Sequence, residues 1–246
     1  MKHLDLFSGI GGFALALDQV VKAEHVFCDN DPFCQEVLKK NFPNTKIYGD
    51  IREIKQESAD IVTGGFPCQP FSSAGKKQGI NDIRWLWPEM FAVIRSSKPQ
   101  WVIAENVSGL LTWGGGMAFE QVCLDLEAEG YEVQPFVIPA CAKNAWHRRD
   151  RVWIIGHSKY FGCSSPEDRK RAVEGNNSHQ EGQDKVRQFK GSTLSWDTQW
   201  KEDWFKVASE LCGIFNGVSN KSHRIKALGN AIVPQVAEEI MRGMFL

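Results

Sequence analysis

The sequence predicts an α/β fold built on a mostly parallel sheet with helices on both faces. Three features point to it. Short apolar runs alternate with amphipathic stretches over the first 156 of the 246 residues. That alternation describes consecutive strand–helix–strand units, whose crossover helices require parallel neighbours. Segments rich in glycine and proline fall where the strands end, which is where such sheets place their ligands.

Taken in order, residues 3–7 read as a short apolar strand, and residues 11–21 carry helical apolar spacing through Phe13, Leu15, Leu17, Val20 and Val21. Residues 25–28 form a second strand. A helix over 31–41 follows, because Asp31 can cap it and Pro32 suits its first turn. Further strands are expected at 47–48, 61–63 and 101–105, with a helix over 87–97 separating the last two. A helix over 117–129 stops at Gly130, and strands at 132–138 and 152–155 close the series.

Beyond residue 156 the texture changes. Residues 164–193 are polar and lack apolar spacing, as expected of a loop. Trp196, Trp200 and Trp204 follow at four-residue spacing, either the packed face of a short helix or an aromatic surface for a partner. Residues 235–244 read as an amphipathic terminal helix. The expected organisation is therefore a main domain at 1–156, a small irregular region at 157–223, and a segment at 224–246 that returns to the main domain.

Bulk properties narrow the function classes. The chain suits one full-sized α/β domain with a small appendage. It has no run of about 18 apolar residues, so no membrane span is expected. Its first residues place an acid inside a short apolar stretch, unlike a secretory signal. The seven cysteines (Cys28, Cys34, Cys68, Cys123, Cys141, Cys163 and Cys212) form no CxxC pair and no Cys/His metal spacing. Such a set suits a reducing cytoplasm and argues against disulfides and zinc. The net charge is only -1, but residues 143–226 hold 16 Lys/Arg against 10 Asp/Glu, a net of +6, while the remainder carries -7. Phosphate neutralisation needs a local basic face, so this asymmetry permits a nucleic-acid partner.

Four motifs carry chemistry. Residues 5–13 (DLFSGIGGF) pass from strand through a glycine-rich turn into a helix, where a ligand can approach backbone closely. The glycine spacing is not GxGxxG, which disfavours a dinucleotide site. Asp29 stands at the end of the second strand, placed to accept from ribose hydroxyls, and Asp50 follows the third. Residues 64–72 (GGFPCQPFS) end a buried strand and hold Cys68 between two prolines, a rigid frame that marks a nucleophile rather than a packing thiol. The following stretch to residue 85 is a basic loop containing Lys76 and Lys77. Glu105 ends an apolar strand, where a carboxylate needs a task or a partner. Residues 146–151 (WHRRDR) gather three arginines beside the last strand.

In this order the motifs resemble the cytosine-C5 DNA methyltransferase family, of bacterial or phage type. DLFSGIGG, GGFPCQPFS, ENV, RRDR and, near the end, LGNAIVP at 228–234 look like its successive motifs. The resemblance implies a Rossmann-like methyltransferase sheet, with 1–156 as the catalytic cofactor-binding domain and 157–223 as a short target-recognition region, and methyl transfer from S-adenosylmethionine to C5 of cytosine in double-stranded DNA. It casts Cys68 as the nucleophile on C6 of a flipped base, Glu105 as the group at N3, and Arg151 with Arg149 as polarisers of O2. It places the cofactor, whose product is S-adenosylhomocysteine, among Asp5, Phe7, Gly9, Gly11, Gly12, Asp29, Asn30, Asp50, Ile51, Pro67, Asn230 and Ala231. Gln69, Ser72, Lys76 and Lys77 become DNA contacts. No metal is implied, a monomer is expected, and a cognate restriction nuclease can share the same system without direct contact. His147 stands where the family usually has glutamine, and Asn30 where an apolar side chain often lies. Two alternatives stay open: methylation of cytosine in transfer RNA, and an inactive DNA-binding relative, against which the retention of Cys68, Glu105 and Arg151 weighs.

Overall fold

The computed structural model describes residues 1–67, 85–143, 145, 148–160 and 227–245. Seven strands form one sheet: β1 (Lys2–Leu6), β2 (Glu24–Cys28), β3 (Lys46–Tyr48), β4 (Ile61–Gly64), β5 (Trp101–Val107), β6 (Tyr131–Pro139) and β7 (Asp150–Ser158). Their spatial order is β3-β2-β1-β4-β5-β7-β6. The first five strands are mutually parallel, and β7 inserts antiparallel between β5 and β6. The mostly parallel sheet and its helices give the Rossmann-like fold expected.

Among the described residues, the sheet is flanked by α1 (Gly12–Asp18), α2 (Pro32–Asn41), α3 (Trp87–Ser97), α4 (Met117–Ala128) and α5 (Pro234–Phe245). Successive strand residues alternate between the two faces. Ile61, Ile103 and Trp153 pack with Phe13 and Leu17 of α1 and with Val236, Ala237 and Met241 of α5. Their neighbours Val62, Val102, Ala104, Val152 and Ile154 pack on the other face, with Met90 and Ile94 of α3 and Val122 and Leu126 of α4. Both faces are covered, which is why the central strands read as continuous apolar runs. The far C-terminal helix is thereby part of the main domain's core.

Local chemistry sets the helix ends. Asp31 caps α2 by accepting from the Phe33 N–H at 3.0 Å, with Pro32 in the first turn as expected. Helix α3 ends where Lys98 turns left-handed (φ 45) just before Pro99. Helix α1 stops at Asp18, three residues before the end of its apolar spacing, because Val20 and Val21 join the α1/α5 core from a turn. None of the described helices is long and apolar enough to cross a membrane.

Candidate active site

The sheet reverses its winding direction between β1 and β4, and a ligand cleft is expected at the carboxyl ends of the strands there. A cleft of about 330 Å³ opens at that point. Its wall includes Phe7, Gly9, Asp29 and Asn30 from the ends of β1 and β2, and Pro67 after β4. Glu105 of β5, Arg149 and Arg151 at the start of β7, and Asn230 near the C-terminus complete it. Nine expected site residues, from positions far apart in sequence, thus share one cavity.

The floor is the glycine turn. Phe7 leaves β1 with φ 53 and Gly9 follows with φ 55, so the chain turns sharply away from the sheet. A side chain added at Gly9 would meet no atom within 4 Å, and its backbone is open to the cleft. Asp29 holds the turn in place: one carboxylate oxygen accepts from the Gly9 N–H at 2.7 Å and the other from the Asp31 N–H at 2.8 Å. Gly11 and Gly12 do other work. A Cβ at Gly11 would lie 2.7 Å from the Phe42 ring, and one at Gly12 would lie 2.7 Å from Ile232 Cγ1. These two glycines seat α1 against its neighbours and are not part of the cleft wall. Asp5 is fully buried beneath the turn, and Ile51 lies in the core. Asp50 caps a short 3-10 turn (Ile51–Glu53) by accepting from the Arg52 N–H at 2.9 Å. Ala231 sits beside the cleft rather than in its wall.

Opposite the floor stands a buried ion pair. Glu105 is only 8% exposed, and its Oε1 lies 2.9 Å from Arg151 Nε. Burial pushes its carboxyl above the usual range, against the pull of Arg151 and then Arg149. The β5–β7 register sets Arg151 beside Val107, on the face and at the height where it reaches Glu105. Gly65 makes room for the carboxylate, since a Cβ there would sit 3.2 Å from Glu105 Oε2. The cleft thus joins a close-approach backbone turn and carboxylates suited to sugar hydroxyls with a desolvated acid held by a cation. This is an arrangement for binding a polar ligand and protonating a second one.

A family model for C-5 cytosine-specific DNA methylases matches residues 1–211. The chain belongs to this family. Among curated relatives, the type II methyltransferase M2.BsuMI of Bacillus subtilis is 38% identical over 161 residues, covering 63% of this chain and 41% of that one. M1.ScrFI of Lactococcus lactis subsp. cremoris is 37% identical over 163 residues, covering 64% and 42%. The chain therefore spans about two fifths of the length of these relatives. Among solved structures, S. pombe Dnmt2 methyltransferase superposes with a TM-score of 0.63 at 17% identity, covering 100% of this chain and 98% of that one. Spodoptera frugiperda DNMT2 gives 0.53 at 23% identity over 67% and 51%. Both likenesses concern the fold.

Three features of this cleft are not singled out by the sequence. Asn106, 2% exposed, donates from Nδ2 to the Phe66 carbonyl at 3.1 Å, which ties the end of β5 to the stem leading into Pro67 and Cys68. The signal that marks Glu105, a polar group ending an apolar strand, marks Asn106 equally. Asp31 and Cys34 also line the cleft. Arg149, left-handed at φ 28, donates from its two terminal nitrogens to the carbonyls of Gly229 and Ala231, each at 2.8 Å. This clamp brings Asn230 into the cleft wall. Cys28, buried beneath the site, has its thiol pushed up to about 12 by burial and by the nearby acids, led by Asp29, so it is inert. Cys68, Gln69, Ser72, Lys76, Lys77 and His147 lie outside the described residues, as do the three tryptophans at 196, 200 and 204.

Proposed function

We propose that this chain transfers a methyl group from S-adenosylmethionine to C5 of cytosine in double-stranded DNA. The observation that carries the reading is the buried Glu105–Arg151 pair, facing the Gly9 turn across one cleft and next to the stem that ends at Pro67. The residues present fit the cofactor. Gly9 offers open backbone, and Asp29, held by the Gly9 and Asp31 N–H groups, presents a carboxylate in the cleft wall suited to ribose hydroxyls. Phe7, Asn30, Pro67 and Asn230 supply the surrounding wall. When bound, S-adenosylmethionine supplies an electrophilic sulfonium methyl and leaves as S-adenosylhomocysteine.

The remaining steps belong to the chain's own residues. A cytosine turned out of the duplex presents its ring to Cys68, one residue beyond Pro67, whose thiolate adds to C6. Glu105 gives a proton to N3 as charge develops there, and its raised pKa keeps the acid form available. Arg151 holds Glu105 in place and stabilises negative charge on O2. Arg149 serves by positioning, since its donors engage the C-terminal segment. After C5 has taken the methyl group, a base such as water removes the C5 proton, Cys68 departs as thiolate, and N3 returns its proton to Glu105. The type II names of the relatives support a role in restriction-modification for this chain as well.

The test is transfer of labelled methyl groups to DNA, with trapping of a covalent adduct on DNA containing 5-fluorocytosine. Wild-type protein should form the adduct and Cys68→Ala should not. An adduct on RNA with none on varied DNA would overturn the DNA assignment. Bisulfite sequencing of DNA from expressing cells would report substrate and recognition site together.

A further inference from the structure

Beneath α1 lies a row of polar side chains that the methyl-transfer chemistry does not use. Asp5 and His3 alternate onto the same face of β1. Asp5 pairs across the sheet with Thr63, and His3 with His25. Thr63 Oγ1 donates to Asp5 Oδ1 at 2.7 Å and lies 2.8 Å from His3 Nε2. His3 Nδ1 is 2.8 Å from His25 Nδ1, and His25 Nε2 is 3.0 Å from Asp18 Oδ1 at the end of α1. The row starts under the cofactor turn and emerges near the opposite edge of the sheet, where Asp18, Lys22 and His25 line a shallow opening. His3, Asp5 and Thr63 are fully buried, whereas the Asp18 side chain is 41% exposed.

With His3 neutral, as its burial favours, these contacts leave two proton arrangements. Suppose Asp5 is a carboxylate. The single Thr63 hydrogen then points to it, His3 Nε2–H donates to Thr63, and His3 Nδ1 accepts from His25. His25 must also donate to Asp18, so it is an imidazolium. Suppose instead that Asp5 carries a proton on Oδ1. Every donor from Asp5 to His25 reverses, His3 holds its hydrogen on Nδ1, and His25 is neutral while still donating from Nε2 to Asp18. The proton belongs on Oδ1 because Oδ2 has no hydrogen-bond partner among the described residues. Both arrangements contain the same number of protons. One passes to the other when Asp5 gives its proton to Thr63, Thr63 gives its own to His3 Nε2, and His3 Nδ1 gives its own to His25 Nδ1.

We propose that Asp5, Thr63, His3, His25 and Asp18 form a proton relay, in which a negative charge on Asp5 and a positive charge on His25 arise together. The relay lets the charge bound in the cleft be answered inside the protein without proton exchange at the site, and in that respect it rests on the cofactor reading above. Burial, and then Asp29, hold the Asp5 carboxyl towards its acid form, with Thr63 opposing. Burial and His25 keep His3 neutral, which excludes an arrangement with His3 as the imidazolium. The charged and titratable groups facing the row are Asp29 and the inert Cys28 at its upper end, and Asp18 and Lys22 at its mouth. A positive charge bound in the cleft that Asp29 lines would offset that acid and favour the Asp5 carboxylate with the His25 imidazolium. The neutral thioether of S-adenosylhomocysteine favours it less.

Nuclear magnetic resonance of protein labelled with ¹⁵N-histidine and ¹³C-aspartate reads both ends of the row. The apoprotein should show Asp5 as an acid together with the His3 Nδ1–H tautomer. An Asp5 acid with His3 Nε2–H, or a carboxylate with Nδ1–H, overturns the relay without any ligand. Saturation with S-adenosylmethionine should raise the imidazolium-to-imidazole ratio of His25 about tenfold at fixed pH. S-adenosylhomocysteine should raise it less. Thr63→Val, or the exposed Asp18→Asn, should abolish the response while calorimetry still registers binding. An unchanged His25 signal with the ligand bound sinks the relay, whereas absent binding heat with the apoprotein pairing intact sinks the cofactor reading alone.

Discussion

Glu105 concentrates the chemistry because its environment pulls two ways. Burial favours its acid form and Arg151 favours its carboxylate, with burial the stronger. The protonated fraction falls as pH rises through that raised value, so turnover should decline along an alkaline limb whose midpoint lies above the usual glutamate range. Glu105→Gln should remove the limb and lower the rate about 10²–10⁴-fold, the usual contribution of a positioned acid. A flat pH–rate profile in the wild type would exclude Glu105 as the proton donor. The sign for stability is the same. A carboxyl with a raised folded pKa favours the fold in acid and loses that contribution as pH climbs through the folded value. Arg149 gives a different signature. Its two charged hydrogen bonds hold residues 229 and 231, so Arg149→Ala should destabilise the fold by about 1.5–3 kcal/mol in urea unfolding. It should also weaken S-adenosylmethionine binding in calorimetry more than it slows turnover, because Asn230 moves out of the wall. Slowed turnover with unchanged binding would return Arg149 to the reacting base.

Helix α1 depends on glycine at a point where the motif suggests ligand contact. A methyl group at position 12 would lie 2.7 Å from Ile232 Cγ1, so Gly12→Ala should cost about 1–3 kcal/mol through overpacking. Ile232→Ala in the same protein should recover most of that loss, and thermal unfolding of the two single variants and the double variant measures the coupling. Additive losses would show that position 12 does not act through Ile232. The sequence made legible those elements whose signals are local. The cap and first-turn proline of α2 are within three residues of each other, and each strand of the parallel half carries its own apolar run. Long-range features were not legible. Nothing near residue 150 announces that β7 runs antiparallel and reaches back to Asp150, which places Arg151 against Glu105. The Arg149 clamp joins positions about eighty residues apart, and His3 and His25 become partners only through the β1–β2 register. The turn at Phe7 was read as strand because its apolar side chain continues the run, while its backbone already turns left-handed at φ 53. For the site, position was legible from the strand ends, and the division of labour among glycines and arginines was not.

Charge is distributed unevenly along the sequence, and phosphate binding depends on a local basic face rather than on the total. Residues 143–226 carry a net +6 and the remainder -7. Within the acidic remainder, Lys76 and Lys77 belong to the segment that follows Cys68, so they are the basic groups nearest the nucleophile in sequence. In the described part of the basic region, Arg148 is already paired with Asp150 at 3.0 Å, and Arg151 with Glu105. Phosphate contacts should therefore come from a few lysines and arginines near the cleft, and affinity should fall steeply with salt. Each phosphate contact contributes about 0.9 to the slope of log affinity against log salt. The double variant Lys76→Ala/Lys77→Ala should reduce that slope by about 2 in fluorescence anisotropy with duplex DNA, equally for every sequence tested, because phosphate contacts carry no base information. Glu105→Gln should leave the slope unchanged, since the buried Glu105 carboxylate is paired with Arg151 and cannot neutralise a phosphate. A weaker affinity with an unaltered slope in the lysine variant would mean that these side chains act on the conformation of the nucleophile segment and not on phosphate.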